Sequence, residues 1–169
     1  MAESIKYVDK FQKWNESDLI PENALRESVT IEAVDFAKKF GKYLGIKVVK
    51  ANNNLQNLGK GKSKDKVLAE PLNTNQLRKF FGDVKRQQLR GYDLSCFILL
   101  KPKLAYAVGR TKENNTYNKI QDLAYVLSQA IDVVAKCATK ENQKPFENFI
   151  DIFEAIVAYH KEETGQKTN

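Results

Sequence analysis

The stretch KPFENFIDIFEAIVAYHKEE, residues 144 to 163, places Phe146, Phe149, Ile150, Phe153, Ile156, Val157 and His160 at helical spacing. At about 100° per residue these seven side chains form one stripe. Pro145 suits the first turn, where its missing N–H has no helical partner to lose. Such a stripe needs cover along its whole length. Burying it is worth on the order of 10 kcal/mol before chain entropy is counted, as an upper bound. The other side carries Glu147, Asp151, Glu154 and Glu162. That acidic face is expected to turn away from any nucleic acid and to suit a basic protein surface.

Working outward, residues 117 to 138 read as a second helix with Tyr117, Ile120, Ala124, Leu127, Ile131 and Val134 on its apolar face. Residues 93 to 109 read as a third, capped by Asp93, with Leu94, Phe97, Ile98 and Leu100 as buried bulk. Pro102 removes a backbone donor there, so this helix must kink or restart. A strand over Ser95 to Leu100 is rejected because it would lack a partner. A fourth helix opens at Asn73 or Thr74, either of which can cap it, and closes at Gly91. Its Leu77, Phe80, Phe81 and Val84 follow the i, i+3, i+4, i+7 rule. A fifth spans 28 to 45, with Val29, Ala33, Phe36, Ala37, Phe40 and Leu44 on one face and Gly45 as its stop. These patterns predict an all-α protein, a compact bundle of about five helices.

One domain is expected over residues 28 to 165. Residues 1 to 27 read as a weakly structured extension with a short amphipathic turn at Val8, Phe11 and Trp14. Residues 51 to 70 read as a flexible basic loop rich in Gly and Lys, and 166 to 169 as a disordered tail. A hydrophobic fraction of 42% with 29% charged residues is ordinary for a globular chain, which argues against wholesale disorder. The opening MAESIKYVD lacks an apolar core, so no secretory leader is expected, and no apolar run reaches the roughly 18 residues of a spanning helix. The prediction is a cytoplasmic protein without membrane contact. Cys96 and Cys137 sit in apolar surroundings, and the expectation is two reduced, buried thiols rather than a disulfide.

Charge distribution points to a partner. The chain has 28 Lys plus Arg and 21 Asp plus Glu; residues 60 to 112 hold 13 and 4 of them, leaving 15 and 17 for the rest. All the excess positive charge therefore lies in the middle third. On the fourth helix, Arg78 and Lys85 fall together opposite the apolar stripe, with Lys79, Arg86 and Arg90 beside them. A single-sign face costs self-repulsion. A polyanion partner gives that cost a purpose. A solvated lysine-rich face is the plainer reading.

Catalytic chemistry has no candidates. The single histidine, His160, lies on an apolar face, and no second positioned base is available for a triad. The run GKGKS at 59 to 63 lacks P-loop spacing. No His, Cys or carboxylate cluster suggests a metal, and Glu147, Asp151 and Glu154 read as a solvated face. No catalytic residue, metal or cofactor is expected.

Three segments in order, LNTNQLRKF at 72 to 80, LKPKLAYAVGR at 100 to 110 and FEAIVAYHK at 153 to 161, resemble the small subunit of type III-A CRISPR effector complexes, the Csm small-subunit family. The likeness covers roughly the last hundred residues. It implies a helical, non-catalytic, RNA-binding subunit acting in antiviral defence. Copies of it would stack beside the backbone and large subunits and line the groove for target RNA paired to guide RNA. By position the likeness points to Arg78 and Arg110. Lys79, Lys85, Arg86, Lys101 and Lys103 join them as bases on or beside the same surface. Lys and Arg on phosphates position a strand without reading it, which suits a complex whose specificity comes from base pairing. Tyr106 and Tyr117 can stack on a base, but packed or half-buried rings are the expectation. The alternative is a structural adaptor that docks backbone subunits without touching RNA.

Overall fold

The computed structural model describes residues 4–51, 66–111 and 116–165. In chain order these form β1 (Ile5–Val8), α1 (Glu22–Arg26), α2 (Ile31–Gly45), β2 (Lys47–Lys50), β3 (Val67–Ala69), α3 (Thr74–Arg90), α4 (Leu94–Ile98), α5 (Leu100–Gly109), α6 (Ile120–Cys137) and α7 (Lys144–Glu163). The fold is mostly helical, as the periodicity predicts, with one small sheet added.

α7 is the centre of the bundle. It buries Phe146, Phe149, Ile150, Ile152, Phe153, Ile156 and His160, and it packs against α1, α2, α3 and α6. Its closest partner is α2, whose Ala33, Ala37, Gly41 and Gly45 lie four residues apart and are all buried. A Cβ on Gly41 would stand 2.7 Å from the Ile156 carbonyl oxygen, and one on Gly45 would stand 2.8 Å from the Glu163 Cβ. Successive turns of α2 thus meet successive turns of α7, and the two helices run in the same direction. Gly45 is the last helical residue, and its lack of a side chain serves this approach as well as the helix end. The real stop is the extended Ile46.

Caps fix the other helices. Thr30 accepts from the Ala33 N–H, Asn73 from Asn75 and Gln76, and Asp93 from Cys96. Gly91, at φ 85°, ends α3 in a conformation that favours glycine. α4 and α5 are separated at Leu99. Pro102 sits three residues into α5, where its ring would clash with the carbonyl of residue 98 in a continuous helix, so the break precedes it by one turn.

Several expectations change. Residues 1 to 27 are not merely an extension: β1 pairs parallel to β2, Ala24 and Leu25 of α1 are buried, and Trp14 packs on Phe36, Phe40 and Tyr43. Of the 51 to 70 loop, Val67–Ala69 is strand β3, antiparallel to β2, and Ala69 bridges to Tyr117. Residues 52–65 and the tail 166–169 lie outside the described residues. These strands escape a periodicity search because they are three or four residues long and pair across about 40 positions of chain for β1–β2 and about 20 for β2–β3.

On α4 and α5, only Phe97, Leu100 and Leu104 are buried; both helices pack on α6. Leu94 and Ile98, expected as buried bulk, and Tyr106, expected packed or half-buried, are exposed, as is Leu99, because a short helix at the bundle's rim can be covered on one side only. Val29 precedes α2 and is also exposed. Both cysteines are free, but Cys96, on the short α4, is exposed, and Cys137, the last residue of α6, is half-buried.

Candidate nucleic-acid interface

The bases of α3 fall in two rows. Arg78 and Lys85 form one, on the side of α7. There Lys85 Nζ lies 3.9 Å from Glu154 Oε2 and 5.7 Å from the Phe81 ring centre. The acidic face of α7 is therefore not wholly separate from the basic helix. Lys79, Asp83, Arg86 and Arg90 form the other row, at i, i+4, i+7 and i+11. Asp83 takes a hydrogen bond from Arg86 on its own helix and one from Lys103 Nζ, at 3.3 Å, on α5. One carboxylate thus joins the basic row of α3 to α5.

On α5, Lys103, Tyr106 and Arg110 stand at i, i+3 and i+7, on one flank. The Arg110 guanidinium lies 5.6 Å from the centre of the Tyr106 ring. Lys101 leaves from the opposite flank and binds both carboxylate oxygens of Asp132 on α6, at 2.7 and 2.9 Å. Contacts join Arg86 and Lys103 through Asp83; by helical spacing Lys79 and Arg90 share the α3 row, and Arg110 shares the α5 flank with Lys103. The structure sets Arg78 and Lys85 on the adjoining row and points Lys101 elsewhere. The sequence suggests pairing Lys101 with Lys103 because both flank Pro102; two residues along a helix, however, turn a side chain by about 200°.

Arg78, Lys79 and Arg90 make no ion pair among the described residues. The pairs made by Arg86 and Lys103 are exposed on their cationic side, and such pairs contribute only about 0–1 kcal/mol. Both cations are exposed enough to reach a phosphate while still neutralising Asp83, whose own side chain is only 13% exposed. The basic row of α3 and the basic flank of α5 meet at Asp83, an arrangement over two helices that suits a linear polyanion.

The buried polar groups lie apart from this row. Lys119, 1% exposed, donates to the Tyr43 and Ile46 carbonyls at the C-terminal end of α2 and lies 4.7 Å from the Tyr43 ring centre. Burial pushes its ammonium down to about 8. Asp122 accepts from Tyr43 and Tyr117 hydroxyls at 2.6 and 2.9 Å, and burial raises its carboxyl above the ordinary value. Burial likewise raises both phenols. Nothing in the sequence marks Lys119 as the one lysine that is buried among the described residues. His160 Nε2 donates to the Leu72 carbonyl at 2.9 Å, and burial holds its imidazole below the usual range. It is a structural donor. Among the described residues no three His, Cys, Asp or Glu side chains could hold a metal, and no helix is long and apolar enough to cross a membrane.

A family model described as Csm2 Type III-A matches residues 50–166. The chain belongs to the Csm2 family. The match begins at the last residue of β2 and runs through α7, so all seven candidate bases lie inside it, while β1, α1 and α2 lie outside. Comparison with curated proteins and with solved structures gives no match. Csm2 membership makes this chain a structural small subunit of a type III-A CRISPR effector complex, a partner of other Csm subunits.

Proposed function

We propose that this Csm2 chain is a non-catalytic RNA-binding subunit that lines the groove for target RNA paired to guide RNA, in cytoplasmic antiviral defence. Contacts are to phosphate and are independent of sequence. Arg78, Lys79, Lys85, Arg86, Lys103 and Arg110 contribute, with Arg90 added and Lys101 reassigned to hold α5 on α6. Copies of the chain stack along the complex, so weak single contacts add through avidity. The observation that carries this reading is the cationic row shared by α3 and α5 through Asp83.

The test is a double charge reversal, Lys79→Glu with Arg90→Glu, at two exposed positions without an ion pair among the described residues. Single-stranded RNA affinity should fall about tenfold or more. The slope of log affinity against log salt should flatten by roughly 0.7 for each phosphate that is no longer neutralised. Unchanged affinity and slope would remove this row as the RNA surface. A second reading is favoured by the exposed Leu89, Leu94, Ile98 and Leu99 beside the row: an adaptor that docks backbone subunits without RNA contact. On that reading, Ile98→Asp with Leu99→Asp abolishes assembly while the charge reversals leave RNA retention unchanged.

A further inference from the structure

Tyr106 is 67% exposed, although an aromatic ring of this size normally gains by burial. Two bases share its flank of α5. Lys103 lies one turn before it and Arg110 one turn after it on the same flank of α5. The guanidinium of Arg110 lies over the ring. The nearest carboxylate of the row, Asp83, is already held between Arg86 and Lys103. A partner that fits here must bring negative charge and a flat π face within one helical turn of each other. Nucleotides combine the two.

We propose that Tyr106 is a base-stacking platform, taking the face of one unpaired RNA base while Lys103 and Arg110 hold the flanking phosphates. This rests on the RNA-binding reading above and narrows it. An A-form duplex keeps its base faces stacked inside and offers none to a side chain. The ligand at α5 is therefore single-stranded RNA, or a strand with a base turned out of its helix. The long row of α3 follows the backbone, and Tyr106 is the aromatic group on this flank that engages a base.

The full-length chain, free and within its effector complex, is titrated with three probes: single-stranded RNA, the same strand with abasic sites, and a blunt RNA duplex. Tyr106→Leu should weaken the single strand roughly five- to tenfold or more. The salt slope should stay at its wild-type value, because every phosphate keeps its Lys or Arg. Tyr106→Phe should bind like wild type, since the ring and not the hydroxyl carries the stacking. Abasic RNA and duplex should bind Tyr106→Leu and wild type alike. Wild-type affinity of Tyr106→Leu for the single strand would overturn the proposal. So would an equal loss in Tyr106→Phe, an equal loss on duplex, or a variant that keeps its RNA but no longer joins the complex. If Lys79→Glu with Arg90→Glu loses RNA while Tyr106→Leu does not, stacking fails and the phosphate reading stands; if neither variant loses RNA, both fail.

Discussion

His160 shows how one residue can be chemically ordinary in sequence and settled by its surroundings. Its imidazole is held neutral by burial, and the nearby charges of Lys119 and Arg78 push the same way, against the opposing hydrogen bond to Leu72. The sign follows from linkage. The unfolded chain takes up a proton near pH 6.5, while the folded chain does so only at lower pH. Stability from this site is therefore complete above about 6.5 and falls as pH drops through that value. His160→Gln keeps a donor for the Leu72 carbonyl and cannot titrate. Melting temperature measured from about pH 7.5 to 5 should fall less steeply in this variant, and an identical profile would contradict the assignment. Lys119 is a second such residue. Lys119→Met keeps the stem but leaves two helix-end carbonyls without their donor, and urea unfolding should show a loss of about 2 kcal/mol or more.

Glycine spacing decides how the elements meet. Gly41→Ala places a methyl against the α7 backbone and should cost about 1–3 kcal/mol. Gly109→Ala, at a helical position with nothing within 4 Å, should cost nothing or stabilise slightly, by up to about 0.5 kcal/mol. A clear drop in melting temperature for Gly41→Ala, with no drop for Gly109→Ala, is the check. The longer helices are legible in the sequence through their apolar period, and α2, α3 and α4 also through side-chain caps; α1, five residues long, is not. Asn73, Asp93, Gly91 and Pro102 act where the sequence places them. The strands are not legible, since KVVK and VLA are too short to show alternation and their pairing is non-local. On α5 the periodicity is legible but its consequence is easily missed. Lys103, Tyr106 and Arg110 share a flank by simple spacing, yet residue type sends Tyr106 to the core, where aromatic rings usually go. Residue type misleads where spacing alone serves.

At the scale of the molecule, charge and packing divide the labour. α2 and α7, joined through their small residues, hold the centre, and the bases gather on the rim formed by α3 and α5. The family match covers that rim and leaves α2 outside, although α2 completes the core. Composition tells that a basic region exists; only the packing of α5 against α6, with the Lys103–Asp83 contact across to α3, tells which bases share a surface and which, like Lys101 and Lys119, serve the fold. The central claim is that the α3–α5 rim is where RNA runs. Photocrosslinking of RNA within the assembled effector complex, with peptide mapping of the attached nucleotides, tests it most directly. The account predicts crosslinks between residues 78 and 90 of α3 and between 103 and 110 of α5. Crosslinks confined to other surfaces of this chain, or none while neighbouring subunits label, would contradict it.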